Sequence, residues 1–400
     1  MPLTQYETGT AMSDSAPYSL EETLLHKTLV STNRLQELSA ASLVLLMVLN
    51  ALVVGWAWLH LSVSSGIAAS VLLLAASLTN WALLWLLPRT GRSFGPDKPS
   101  ALALILLLTV VMALIGTFAS SSWALFSAAA AAIAITLVVF YATWIEPFRL
   151  GVTKQTLTIK GGASSEGGSL RLLHVGDLHL ERETARERQL NALIERLKPD
   201  VILFSGDFVN LSYTWEAQAK ADIRRVIGAW HAPLGVFCVP GTPVVEPLPR
   251  VLEFVQELEN LMLLPNRWMR VETPVGFVHI FGHITTHDLP TDRLSLAEAP
   301  LSPGDGLKIV LTHAPDIAPE AAAAGFDLYL CGHTHGGQIR LPLIGAIFSS
   351  SHLGKRFIMG RYQVGKMTLY TTRGIGMEGL GAPRARFLCP PEIVLWEIRF

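Results

Sequence analysis

The chain has 400 residues, of which half are hydrophobic and only 16% charged, against roughly 25% charged in ordinary soluble domains. A mean hydropathy of +0.40 points to a membrane protein, or to a soluble domain joined to membrane segments. The net charge of -1 offers no global field for nucleic acid, and three scattered cysteines (Cys238, Cys331, Cys389) without CxxC spacing exclude a disulfide framework or a zinc ribbon.

Residues 1–38 read as a polar N-terminal tail with acidic Glu7, Asp14, Glu21, Glu22 and Glu37. It lacks the short apolar stretch and small-residue site of a cleaved signal peptide, and a helix is expected from about Leu20 to Leu38. Residues 39–146 read as four membrane spans, Ala40–Val63, Gly66–Leu87, Ala101–Ala119 and Trp123–Ile145. Each is close to the roughly 20 residues that cross the hydrocarbon core as a helix. Tryptophans 56, 58, 81, 85, 123 and 144 mostly fall near span ends, where an interfacial belt puts them.

Flanking basic residues set the orientation. Lys27 and Arg34 precede the first span, Arg89, Arg92 and Lys98 lie between spans two and three, and Arg149 and Lys154 follow span four. The loops near Ser64 and Ser121 carry no charge. The rule that positive loops stay inside then makes the chain a multi-pass protein of the cytoplasmic (inner) membrane, with its N-terminus and C-terminal domain in the cytoplasm. No Asp, Glu, Lys or Arg sits mid-span, so the bundle lacks the marks of an ion pathway. Asn50 reads as a helix-packing amide and His60 as an interfacial histidine.

Residues 150–400 change character. Strands are expected at Val152–Ile159 and Leu170–Val175, joined by the turn GGASSEGGS, and at Val201–Phe204, Gly235–Val239, Phe277–Phe281, Lys308–Leu311, Leu328–Leu330, Met367–Thr371 and Ile393–Ile398. Helices are expected at Glu183–Leu197, Trp215–Trp230 and Val251–Leu261. The pattern is α/β, with two packed sheets and helices outside.

Metal-ligand residue types follow these strands. LLHVGDLHL supplies Asp177 and His179, ILFSGDFVN supplies Asp207, IVLTHAPD supplies His313, and LYLCGHTHGGQ supplies His333 and His335. Ligands of open α/β sheets bind at that edge. Six carboxylate and imidazole donors suit Mn²⁺, Fe or Zn²⁺ rather than Ca²⁺, which prefers oxygen alone.

With D-x-H, GD, H and GHxH in this order, the chain resembles the calcineurin-like metallophosphoesterases from about Leu172 to the C-terminus. GHTHGGQ (332–338), TTRGIG (371–376) and RFLCPPEI (386–393) are similar to the bacterial membrane-associated branch. The resemblance implies a four-layer sandwich of two mixed β-sheets flanked by helices, preceded here by the four-helix transmembrane bundle. It implies a binuclear centre in which Asp177, His179 and His335 hold one divalent metal and His313 and His333 the other. Asp207 would bridge the two and help activate the metal-bound water. The implied substrate is a phosphorylated small molecule or a lipid-linked or nucleotide-diphosphate compound at the bilayer.

One motif departs from the family. Where Gly-Asn-His is expected the chain has Gly241-Thr242-Pro243. Thr242 is a weaker donor than Asn, and Pro243 can neither donate a proton nor stabilise an oxyanion, a loss typically worth about 10²–10⁴ in rate. Three readings stand side by side. The substrate has a good leaving group, such as a pyrophosphate. Or another residue fills the gap, with Thr242 itself and His283 and His287 of HIFGHITTHDLP as candidates beside His279 and Asp288. Or the domain is a pseudoenzyme that binds metal or ligand without turnover. Arg373 is a candidate phosphate contact, Gly336, Gly337 and Gln338 are expected to shape the metal-site loop, and Glu246 reads as a solvated loop residue.

Overall fold

The computed structural model describes residues 5–6, 24–118, 121–159, 168–274, 276–299 and 304–399. Residues 161–167 of the GGASSEGGS turn, and most of the polar tail before Leu24, lie outside the described residues. The chain divides into a helical unit, Leu24–Ile145 with Glu378–Ala385, and an α/β unit holding the remainder.

The helical unit begins with α1 (Leu24–Asn33) and continues through α2 (Ala40–Trp58), α3 (Val63–Arg89), α4 (Lys98–Phe118) and α5 (Ser121–Phe140), which runs on as a π turn over Tyr141–Ile145. Four of these segments are long and apolar enough to cross a membrane. Ser39 and Ser62 cap α2 and α3 by accepting from the N–H three residues on. Leu43, Met47, Val54, Trp58, Leu73, Leu108 and Met112 form the buried seam, while Leu45, Leu52, Val71, Leu106 and Val110 face outward. A helix apolar on both its inner and outer faces matches hydrocarbon rather than water as solvent. Small residues allow close crossings, and the Trp58 indole donates to the Met112 carbonyl (2.9 Å) beside Gly116. Asn50 accepts from the Thr109 hydroxyl at 3.1 Å, the packing role read from sequence.

The α/β unit contains β1 (Gln5–Tyr6), β2 (Gly151–Thr158), β3 (Ser169–Val175), α6 (Ala185–Leu197), β4 (Val201–Phe204), α7 (Ala217–Gly228), β5 (Val236–Cys238), α8 (Leu248–Val255) and β6 (Leu261–Leu263). It continues through β7 (Arg267–Thr273), β8 (Gly276–Gly282), α9 (Leu289–Ala297), β9 (Leu307–Leu311), α10 (Ala318–Ala323) and β10 (Leu328–Cys331). It closes with β11 (Arg340–Leu341), β12 (Gly345–Ala346), β13 (Gly360–Val364), β14 (Met367–Thr371) and β15 (Glu392–Arg399). One mixed sheet has the order β2-β15-β3-β4-β5-β6 and the other β1-β13-β14-β10-β9-β8-β7.

Side-chain alternation builds the layers. Leu170 and Leu172 of β3, Leu203 of β4 and Trp396 of β15 meet Ile280, Ile309 and Leu328 of the opposite sheet in a core between the sheets. The alternate residues Leu173, Val175, Ile202 and Phe204 face outward onto α6, α7 and α8 through Leu190, Ile223 and Phe254. Phe281, Val310, Tyr329 and Leu369 likewise pack on Leu296 of α9 and Ala318 of α10. Strands buried on both faces read as continuous apolar runs, which is why VILF and LYLC stood out. The result is the expected four layers.

Two local expectations change. β2 and β3 do not pair, because β15 from the chain terminus lies between them, parallel to β2 and antiparallel to β3. The helix expected over Val251–Leu261 ends at Val255, and Leu261 opens β6 beside β5. Cys238, Cys331 and Cys389 are free and buried.

Candidate metal centre

The donors leave the carboxyl ends of adjacent strands. Asp177 and His179 follow β3, Asp207 follows β4, Thr242 follows β5, His287 follows β8, His313 follows β9, and His333 and His335 follow β10. Because β3, β4 and β5 run parallel, as do β8, β9 and β10, their ends converge on one edge. Cross-strand bonds hold the loops together, from the N–H of Asp177 to the Gly206 carbonyl and from the N–H of Gly332 to the His313 carbonyl.

Backbone strain marks the same positions. Asp177, His179, Asp207, His287, His333 and His335 all have positive φ, between 39° and 69°. Left-handed backbone is uncommon for residues other than glycine and collects at functional sites, where the surrounding structure holds it. Glycines make room around the carboxylates. A Cβ on Gly241 would lie 2.0 Å from Asp207 Oδ1, and one on Gly332 would lie 2.3 Å from Asp177 Oδ2.

The donors form two buried sets. Asp177, His179, Asp207 and His335 present ligand atoms that all lie within 4.8 Å of one another, and so do His287, His313 and His333. Asp207 touches both, with Oδ2 at 3.1 Å from His179 Nε2 and 3.2 Å from His313 Nε2. His335 Nε2 stands 3.0 Å from His179 Nε2, and His333 Nδ1 stands 3.2 Å from His313 Nε2. Buried nitrogens facing each other at hydrogen-bond distance are what a shared cation would organise. Asp177 Oδ2 is buried without a hydrogen-bond partner, and His287 Nδ1 is likewise buried and unpartnered. Orphaned polar atoms of this kind are rare and indicate a missing partner such as an ion.

Outer contacts orient the imidazoles. His313 Nδ1 donates to the Ser205 carbonyl at 2.9 Å, which leaves Nε2 free to face Asp207. His333 Nε2 donates to the Ser350 carbonyl at 3.3 Å, which turns Nδ1 inward. Burial would raise the Asp207 carboxyl, but His313 and His179 hold it well below its usual range. Burial pulls His313 down, yet Asp207 and Asp177 win and raise it to about 9. His287 stays well below its ordinary value, through burial and then His333 and His313.

The candidates for the broken motif separate. Thr242 donates its N–H to Asp207 Oδ1 at 2.7 Å, and its hydroxyl lies 3.0 Å from His313 Nε2. Nε2 of His287 is 3.3 Å from that hydroxyl, and its ring centroid is 4.4 Å from that of His333. His283 turns elsewhere, to the Thr312 hydroxyl and the Asp292 carbonyl, and His279 bonds the Asp305 carbonyl. Pro243 is exposed at the start of a turn. Arg373 pairs with Glu392 at 2.6 Å and stays partly exposed.

Glu246 corrects the sequence reading. It is fully buried, and its carboxylate accepts the backbone N–H groups of Asp207, Phe208, Val209 and Gly241 at 2.7–3.3 Å. One carboxylate thus clamps the Asp207 loop to the Gly241 turn, and burial with Asp207 nearby pushes it up to about 8. Arg386, also missed, is fully buried and donates to the carbonyls of Arg373, Gly376 and Cys389 behind His335. The loop 336–338 has positive φ at Gly336, Gly337 and Gln338.

Against known proteins, the profile described as calcineurin-like phosphoesterase matches residues 170–337. The chain is 30% identical over 232 residues to phosphodiesterase YaeI of Escherichia coli, covering 57% of this chain and 82% of that protein. It is 28% identical over 278 residues to the uncharacterized metallophosphoesterase YkuE of Bacillus subtilis, covering 65% and 89%. It is 24% identical over 314 residues to the UDP-2,3-diacylglucosamine pyrophosphatase LpxG of Chlamydia trachomatis, covering 64% and 91%.

Proposed function

The chain belongs to the calcineurin-like phosphoesterase family of metal-dependent phosphoesterases, and from that premise we propose that it is a two-metal hydrolase of a phosphoester or pyrophosphate bond, anchored in the cytoplasmic membrane. Residues 1–38 would form a cytoplasmic tail, 39–146 the anchor and 150–400 the hydrolase, with the catalytic unit on the cytoplasmic side, as the one-sided basic loops support. The observation that carries the reading is the pair of buried donor sets meeting at Asp207.

The donors fit divalent cations. One set mixes carboxylate and imidazole and the other is imidazole with Asp207 alongside, a composition suited to Mn²⁺, Fe or Zn²⁺. Asp177, His179 and His335 would hold one ion, His313, His333 and His287 the other, and Asp207 both. His287 thus takes the ligand place that the family's Asn leaves at Thr242, a reading supported by its orphaned Nδ1. Bound there, the ions would supply Lewis-acid stabilisation and a nucleophile at neutral pH. Ser205 and Ser350 would orient the imidazoles, and Glu246 would fix the Asp207 loop.

With Pro243 where a proton donor stands in the family, the favoured substrate is one whose leaving group departs as an anion. A pyrophosphate linkage has that property, and LpxG, by its name, acts on one in a lipid-linked nucleotide. Arg373 is the proposed phosphate contact, exchanging Glu392 for substrate. Pro243 also favours a second reading, a pseudoenzyme that binds metal and ligand only.

The test is Mn²⁺-dependent hydrolysis of bis-p-nitrophenyl phosphate by the full chain in detergent, with Asp207→Ala and His335→Ala as controls. Turnover lost in both variants supports the hydrolase. Metal uptake without turnover, on this substrate and on a panel of lipid pyrophosphates, supports the pseudoenzyme.

A further inference from the structure

Directly after the 336–338 loop, the chain forms a small antiparallel finger, β11 and β12, with the sequence Arg340-Leu-Pro-Leu-Ile-Gly-Ala-Ile-Phe348. Leu341, Leu343, Ile344, Ile347 and Phe348 are all exposed, and Leu343 at the tip is exposed completely. Among the described residues of the α/β unit, five of the eleven exposed large hydrophobic side chains fall within these nine positions. Soluble surfaces scatter such residues singly, and a contiguous group marks an interaction site. Leu343 also has φ +67°, so the backbone is held in an uncommon conformation that displays this side chain.

The finger is rooted in the metal loop. Arg340 donates to the Gly336 carbonyl at 2.8 Å, and a Cβ on Gly337 would strike Ala346. On the return arm, the Ser350 hydroxyl donates to the His333 carbonyl at 3.0 Å, and the Ser350 carbonyl accepts from the His333 ring. Leu388, exposed beside the base, follows Phe387, whose carbonyl accepts from the N–H of Arg340.

We propose that this finger inserts into the hydrocarbon boundary of a lipid bilayer and so presents the metal centre to phosphate groups at the membrane surface. Its shape selects the partner. Leu343 at the turn is completely exposed and Ile344 and Ile347 are more than half exposed, so the apolar side chains stand out into solvent, which suits a fluid, deformable medium better than a shaped protein surface. Charge agrees. Arg340 at the base and the exposed Lys355 and Arg356 just beyond the return arm are placed for anionic headgroups, as in other apolar elements with basic flanks that lie in the interface. Connectivity agrees as well, since the fourth apolar segment runs to Phe148 and β2 begins at Gly151. The inference rests on the membrane anchoring proposed above, but not on turnover.

The experiment uses the full chain in nanodiscs of phosphatidylethanolamine and phosphatidylglycerol. Leu343→Cys is labelled with an environment-sensitive fluorophore, which the three buried native cysteines leave selective. Glu195→Cys, on an exposed face of α6, serves as the reference, and Ile344→Cys repeats the reading beside the tip. The expected result is blue-shifted emission at 343 and 344, quenched several-fold by acyl-chain nitroxide lipids, with residue 195 unaffected. Water-like emission without quenching at both finger positions overturns the proposal. Blue-shifted emission without lipid quenching, accompanied by energy transfer between copies, overturns it in favour of a second copy of this chain. Hydrolysis of bis-p-nitrophenyl phosphate by the same samples reports the metal centre separately, so failure of the finger and failure of the hydrolase are distinguishable.

Discussion

Replacing His287 with Ala separates the proposed second metal site from the alternatives most directly. His287 reaches the centre from the loop after β8, buried, with positive φ, its ring against His333 and its Nδ1 without a partner. If it is a ligand, the second ion has three imidazoles and the shared Asp207, and the variant removes one of four protein donors. Loss of even an outer partner of a metal ligand costs about 10–100-fold in affinity. A direct donor then costs at least the upper end, about 100-fold or ~2.7 kcal/mol. The assay is equilibrium dialysis with Mn²⁺ followed by elemental analysis of the full chain, with electron paramagnetic resonance reporting spin coupling between paired ions. The wild type should bind two coupled ions, and His287→Ala one, with the Asp177, His179, Asp207 and His335 set retained. Adding Thr242→Asn to His287→Ala should restore the second ion, because it returns the family's donor beside the space that His287 vacates. Two coupled ions of unchanged affinity in His287→Ala would refute the reasoning and leave His287 a packed core histidine.

Glu246→Ala would orphan the four backbone N–H groups that it now satisfies, each worth about 1–3 kcal/mol when buried without a partner, so the catalytic unit should lose at least roughly 4 kcal/mol in a denaturant melt. An unchanged midpoint would show that the clamp is redundant. His283, lowered to about 4, and His174, lowered to about 3, are both held neutral by burial, while the unfolded chain protonates them near 6.5. The unfolded state therefore binds more protons below pH 6.5, and stability should fall as pH drops through that window, by up to ~1.4 kcal/mol per pH unit for each group. His283→Gln should flatten the slope, and an identical profile in that variant would contradict its neutral state. His313, raised to about 9 beside Asp207, should give up its proton when metal enters. Calorimetry of Mn²⁺ binding at pH 7.5 should show an enthalpy that changes with the buffer's ionisation enthalpy, and a buffer-independent value would count against a protonated His313.

Whatever depends on local pattern was legible along the chain. Four apolar stretches of membrane length and a string of short apolar runs each closing on a carboxylate or imidazole are one-dimensional signals, because a helix across hydrocarbon and a buried parallel strand both demand near-continuous apolar residues. Asp177, Asp207, His313 and His335 stand within three or four residues of a strand end, so the sequence could nominate them. Tertiary structure alone decided the rest. Three histidines of HIFGHITTHDLP were equivalent in sequence, yet strand β8 and the loop behind it send His279 to Asp305, His283 to Thr312 and only His287 to the donor set. Glu246 looked like a solvated loop residue because its function is to gather N–H groups from two separate loops, a relation between chain segments up to 39 residues apart that carries no local period. The same holds for β15, which leaves the chain terminus to divide β2 from β3, since strand order is set by which faces can be buried together and not by proximity along the chain.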